Sequence, residues 1–249
     1  IEGLLAKLVE KGKLTVEALT ETRARITFVP DLAAFAACDL VIEAIVESLE
    51  PKRALWRQLE GICRADTLFA TNTSSLSVGD QAVGLAHPER LLGMHFFNPV
   101  PMMPLVEVIR SIRTSADAVD AGLAFARGLG KTAITSRDES GFVVNLLLVP
   151  YLIDAVRALE RGVGTIADLD AAMKLGAGHP MGPFTLLDFV GLDTVVKIGD
   201  IMFDQYRETR YAPPPLLRRM VAAGYLGKKN GKGFYDWRGA QPVPMELGL

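Results

Sequence analysis

The sequence lacks most of the features that mark a specialised protein. It has only two cysteines, Cys38 and Cys63, and three histidines. The cysteines form no CxxC pair and have apolar neighbours, which excludes a disulfide scaffold or a zinc ribbon. They read as reduced structural thiols of a reducing compartment: cytoplasmic, or the mitochondrial matrix in a eukaryote. No group of His, Cys and carboxylates has the spacing of a metal site. No apolar run approaches the roughly 18 residues of a membrane-spanning helix; the longest, 142–152, is interrupted by Asn145 and Pro150. Lysine plus arginine number 27 against 29 acidic residues, a net charge of −2. Electrostatics therefore gives no reason to expect nucleic acid or an anionic membrane as a partner. Repeats and low-complexity tracts are absent. So is an initial methionine: Ile1 already lies in an amphipathic pattern, with apolar residues at 1, 4, 5 and 8 and with Lys7, Glu10 and Lys11 between them. The chain reads as cut inside an element, and any targeting sequence would lie upstream.

What is present is the composition of a soluble globular protein. The 249 residues, 49% hydrophobic and 22% charged, suffice for one or two domains with substantial cores. A second helix capped by Thr15 is expected after the turn at Gly12, then a short strand at 26–29 stopped by Pro30, and a helical turn capped by Asp31. Residues 39–44 (DLVIEA) read as a fully buried strand, 52–63 as a helix opened by Glu50-Pro51, and 68–71 as a strand. Two apolar strands, 91–97 and 105–110, flank a loop holding Pro99, Pro101 and Pro104, which cannot donate to a ladder. A helix at 116–129 and a strand at 132–135 follow. This alternation predicts a mainly parallel α/β sheet. From Gly141 onward no convincing strand is found: helices are expected at 141–159, 166–175, 182–202 (interrupted at Gly191) and 216–223. The expected organisation is an α/β Rossmann-type domain, 1–136, followed by an all-α domain, 137–249, with the boundary in the polar link 137–140.

The 91–110 region holds two residues foreign to an apolar pair of strands. His95 stands beside Phe96 and Phe97, and Glu107 interrupts LVEVI. Singly, each has a plain structural explanation: a satisfied core histidine and a water-facing glutamate. Together, neighbouring strands would bring the carboxylate to one imidazole nitrogen, fix the tautomer, and leave the other nitrogen as a base near neutral pH. Open α/β sheets bind ligands beyond the carboxyl ends of their strands. That edge receives Glu47, Ser48 and Lys52 after the first strand, Asn72, Ser74 and Ser75 after the second, and Asn98 after the third. Two glycine-rich stretches are decoys. In 176–182 (GAGHPMG) the third glycine is one residue late and no strand precedes it; 227–233 (GKKNGKG) lacks Walker spacing, although its lysines could reach a phosphate. His87 and His179 each precede a proline and read as surface residues.

Six stretches, DLVIEAIVESLEPK, FATNTSSL, GMHFFNPVPMMPLVEVI, ESGFVVN, GHPMGPFTLLD and GKKNGKGFY, run in one order over nearly the whole chain. In these the sequence resembles the L-3-hydroxyacyl-CoA dehydrogenase family, in its short monofunctional 3-hydroxybutyryl-CoA dehydrogenase form. The resemblance implies NAD-dependent oxidation of an L-3-hydroxyacyl-CoA, with His95 as base, Glu107 as its partner, and Ser74 and Asn145 near the reacting centre. It implies that Glu47, Lys52, Ser74, Asn98 and Lys229 contact NAD, that Lys52 also reaches CoA, that Lys11 is a weaker candidate for a CoA phosphate, and that 137–249 forms a homodimer.

Two departures from the family pattern stand out. Leu146 replaces the usual arginine after Asn145. The strand, glycine-rich turn and helix that cradle a pyrophosphate, roughly 30 to 40 residues, are not in the sequence. A polypeptide truly beginning at Ile1 is expected to turn over no NAD and to aggregate through exposed sheet edges. Two alternatives therefore stay open: a non-catalytic chain keeping CoA-binding and dimerisation surfaces, and a related dehydrogenase of sugar acids.

Overall fold

The computed structural model describes residues 1–248. Helices α1 (Glu2–Glu10) and α2 (Val16–Ala24) form a hairpin whose residues are all outside the core. Thr15 caps α2 by accepting from the Ala18 N–H, and Arg23 pairs with Glu2 across the hairpin at 2.6 Å. The strand expected at 26–29 does not form; Phe28 is 83% exposed. No described strand lies beside it, and a strand without a partner has no ladder to join.

The sheet consists of β1 (Leu40–Glu43), β2 (Leu68–Thr71), β3 (Leu91–Phe96), β4 (Leu105–Arg110) and β5 (Thr132–Arg137), in that order across the sheet. β1, β2 and β3 are parallel, β4 runs antiparallel to β3, and β5 is parallel to β4. Helices α3 (Leu49–Ile62), α4 (Val78–Gln81) and α5 (Ala116–Gly128) connect the strands. α4 is a short turn of helix hidden behind the Asn72–Ser75 turn, where too few residues exist for a periodic signal. Trp56 and Leu59 of α3 pack with Phe69, Leu91 and Ile109 on one face of the sheet. Ala118, Val119 and Ala126 of α5 cover Leu92, Met94, Val106 and Val108 on the other. β1 is not fully buried as expected: Val41 and Glu43 face inward, but Ile42 is 39% exposed because β1 is an edge strand.

The remaining helices, α6 (Val144–Glu160), α7 (Ile166–Gly176), α8 (Pro183–Val190), α9 (Leu192–Tyr206) and α10 (Pro215–Ala222), share a separate core built on Leu152, Ile153, Phe184, Leu187, Val195 and Phe234. Gly191, at φ 97°, breaks the chain between α8 and α9 where an L side chain would be strained. A two-residue hairpin, β6 (Tyr235–Asp236) with β7 (Val243–Pro244), corrects the expectation of no strand in this region; two residues carry no readable period. Both glycine decoys resolve as clamps. The N–H groups of Phe184 and Thr185, at the start of α8, are taken by the Asp170 carboxylate at 2.7 and 3.0 Å, so no room is left there for a phosphate. The glycine-rich 227–233 loop fits closely around Asp188, which accepts from the Phe234 and Tyr235 N–H groups and the Trp237 indole, each at 2.8 Å. His87 is exposed as expected, whereas His179 is half-buried against Tyr151, 3.2 Å from its hydroxyl.

Candidate active site

The antiparallel register of β3 and β4 sets His95 directly opposite Glu107. His95 Nδ1 lies 2.7 Å from Glu107 Oε2, with both side chains essentially buried. The other carboxylate oxygen accepts the Val143 and Val144 N–H groups, each at 3.0 Å. Val143 is the N-cap of α6 and has no capping side chain of its own. Glu107 thus serves the helix as an acidic group at its positive end while it holds the imidazole. With both carboxylate oxygens committed as acceptors, Nδ1–H donates to Glu107 and Nε2 is the ring nitrogen left to face the site. Nε2 faces the Ser74 hydroxyl at 3.1 Å.

The approach to α6 is strained. Gly141 has φ 88°, and a side chain there would press on the backbone at Asn145 and Leu146. Phe142, with φ 51°, occupies the left-handed region that a bulky residue rarely adopts. The strained turn puts the Phe142 ring 5.5 Å from the imidazole, and Phe97 packs at 4.5 Å on the same group. Asn145, one residue into α6, reaches the Ser74 carbonyl at 3.5 Å. Asn72 accepts from the Phe96 N–H at 3.0 Å and secures the end of β3.

Beside this group lies a second cluster. Glu47 accepts from the Thr73 hydroxyl, the Ser74 N–H and the Ser75 hydroxyl. Burial opposes its ionisation, but the bonds from Thr73 and Ser74 and the nearby Lys52 ammonium outweigh that and hold its carboxyl below the usual range. Lys52 is fully buried, 2.7 Å from Glu43 and 3.3 Å from Glu47. The ammonium expected to contact the cofactor and to reach CoA is thus enclosed by two carboxylates. Asn98 is exposed beyond β3. Of the other expected contact residues, Lys229 pairs with Asp193 of α9 at 2.5 Å, and Lys11 sits exposed at the end of α1. Glu43, Thr71, Thr73 and Phe142 escaped the sequence reading. Only Glu43 left a signal, a charge inside a β-branched strand.

A mainly parallel sheet with a buried His–Glu pair near its carboxyl edge, followed by a helical unit that supplies the adjoining wall, is the layout of a nicotinamide-dependent oxidoreductase. The chain belongs to the 3-hydroxyacyl-CoA dehydrogenase family. Residues 1–139 match the profile described as "3-hydroxyacyl-CoA dehydrogenase, NAD binding domain", and 141–237 match "3-hydroxyacyl-CoA dehydrogenase, C-terminal domain". It is 45% identical to a 3-hydroxybutyryl-CoA dehydrogenase of Bradyrhizobium diazoefficiens, over 98% of this chain and 83% of that one. To the mitochondrial hydroxyacyl-coenzyme A dehydrogenase of Sus scrofa it is 44% identical, over 93% of this chain and 74% of that one. The crystal structure of (S)-3-hydroxybutyryl-CoA dehydrogenase from Ralstonia eutropha superposes with a TM-score of 0.92 at 39% identity, covering 96% of this chain and 84% of that one. No described helix is long and apolar enough to cross a membrane, and no metal-ligand cluster occurs among the described residues.

Proposed function

We propose that the protein oxidises an L-3-hydroxyacyl-CoA, such as 3-hydroxybutyryl-CoA, to the 3-oxoacyl-CoA, with residues 1–136 as the dinucleotide-binding domain and 137–249 as the helical substrate and dimerisation domain. The observation that carries this reading is the buried His95–Glu107 pair with one imidazole nitrogen turned to Ser74. His95 Nε2 takes the proton of the C3 hydroxyl, and Glu107 stabilises the imidazolium that forms. Ser74, and Asn145 beside it, orient the hydroxyl; in the reverse direction the imidazolium returns the proton.

Glu47, Ser74 and Asn98, polar groups at or beyond the carboxyl ends of β1, β2 and β3, fit the nicotinamide end of NAD. No strand–glycine–helix turn of the pyrophosphate-binding type occurs among the described residues, so the fit is to that end alone. Bound NAD supplies the acceptor for the C3 hydride.

The test is His95→Gln. It is expected to lower kcat at least ~100-fold while NADH affinity, read by calorimetry, barely changes. Near-normal turnover by this variant would remove the assignment. The exposed apolar residues Leu147, Val163, Leu175 and Phe189, all on the helical half, support a homodimer through 137–249. A monomer by light scattering at micromolar concentration would overturn it.

A further inference from the structure

The second cluster is built more heavily than the proton transfer requires. Glu43, at the end of β1, is buried, and its two oxygens accept four bonds: Lys52 Nζ at 2.7 and 2.9 Å, the Ile45 N–H at 2.6 Å and the Thr71 hydroxyl at 2.8 Å. The same ammonium lies 3.3 Å from one oxygen of Glu47. The other Glu47 oxygen gathers the Thr73 hydroxyl, the Ser74 N–H at 3.2 Å and the Ser75 hydroxyl at 3.3 Å. Ser74 in turn faces His95. Removing charges from water is costly, and apolar residues of similar volume would stabilise such a site at least as well. A charged network that ends on the loop carrying Ser74 is better accounted for by placement than by stability.

We propose that Glu43 is a positioning residue. It fixes the Lys52 ammonium between two carboxylates, which fixes Glu47 and with it the 73–75 loop that sets Ser74 against His95. Without the Glu43 charge, Lys52 has Glu47 as its sole counter-ion. A charge-assisted bond is stronger than the neutral bonds from Thr73, Ser74 and Ser75, so Glu47 turns toward Lys52 and releases the loop. The kinetic consequence rests on the dehydrogenase reading above; the structural consequence does not.

The variant to make is Glu43→Gln, which keeps the shape and, through its one amide oxygen, the acceptor for the Ile45 N–H, turns an amide N–H toward the Thr71 hydroxyl, and removes the charge. The expected result is a kcat lower by about tenfold, with KM for 3-hydroxybutyryl-CoA within about twofold, the signature of lost orientation at the reacting centre. In the ligand-free protein the ¹⁵N shift of His95 Nε2 should move as its bond to Ser74 weakens. Added to Glu47→Gln, the same change should cost nothing further, because it acts through Glu47. A purely structural Glu43 would lower the melting temperature and leave kcat and the His95 shift of the folded protein unchanged, and that result overturns the proposal. Should Glu43→Gln fail to fold, Thr71→Val removes one donor from Glu43 and leaves every charge in place. It should move the His95 shift in the same direction and lower kcat by about threefold; no change in either overturns the proposal equally. A protein that does not oxidise hydroxyacyl-CoA at all would refute the proposed reaction, and the His95 shift would still decide the role of Glu43.

Discussion

Asp170 and Asp188 in the helical half are as deeply buried as Glu43 and Glu107 in the sheet half, and all four carboxylates are fully occupied by donors. The donors differ. In the helical half they are backbone N–H groups, the Thr185 hydroxyl, the Trp237 indole and the Tyr235 hydroxyl, none of which exchanges a proton near neutral pH. Tyr235 joins the two, donating its N–H to Asp188 and its hydroxyl to Asp170. In the sheet half one donor is an imidazole, and its second nitrogen meets the Ser74 hydroxyl. In the helical half, burial and saturation by hydrogen bonds make a clamp; in the sheet half the same saturation holds an imidazole whose second nitrogen is turned to the Ser74 hydroxyl.

The largest expected effect follows from exchanging one carboxylate in each half for its amide. Glu107→Gln should lower kcat about 100-fold and displace the pH profile, since it removes the charge that supports the imidazolium. Asp188→Asn should leave kcat of the folded protein within about threefold and lower its melting temperature. Steady-state kinetics across pH on both variants checks this. Comparable losses of kcat would end the distinction between clamp and site.

Gly233→Ala probes the clamp from the other side. The added methyl would overlap the Asp188 carboxylate. Forcing a group into so tight a contact costs about 1–3 kcal/mol, readable in a urea melt, again without a matching loss of kcat. Unaltered stability would show that the loop relaxes freely and that the glycine is not needed there.

The smallest effect separates the halves by pH. Glu47 is held below its ordinary 4.5, so its contribution to stability is present above that value and is lost as pH falls through the lowered one. Asp188 has the opposite sign. Burial pushes it above its ordinary 3.8, only partly offset by Trp237, Phe234 and Tyr235, so its contribution is present below 3.8 and lost as pH rises through the raised value. Glu47→Gln should therefore flatten the acid limb of a stability–pH curve, and Asp188→Asn should steepen it. Urea melts across the acid range measure both; shifts in the same direction would contradict the assigned causes.

Much of the sheet half was legible because its elements have strong local signals. β2 and β4 coincide with the stretches read as 68–71 and 105–110, and β3 ends one residue before the stretch read as 91–97. The strand at 26–29 failed because a strand is defined by its neighbour, and no described strand lies beside it. The surroundings of Lys52 were hidden for a related reason: its place one turn into α3 indicates reach toward the strand edge, but not that Glu43 and Glu47 enclose it.

The sequence alone determined where the α/β pattern gives way to helices, and that one histidine and one glutamate sit out of character in adjacent strands, because period, proline and charge in an apolar run are local properties. Only the tertiary structure decided what those residues face. Register put His95 opposite Glu107, and the return of the chain to the sheet at Val143 and Val144 gave that carboxylate its second role as the cap of α6. The link from Glu43 to Ser74 likewise crosses from β1 through α3 to the loop after β2. Such contacts join residues far apart in the chain, and their geometry is set by packing the sheet between its helices, which no local pattern encodes.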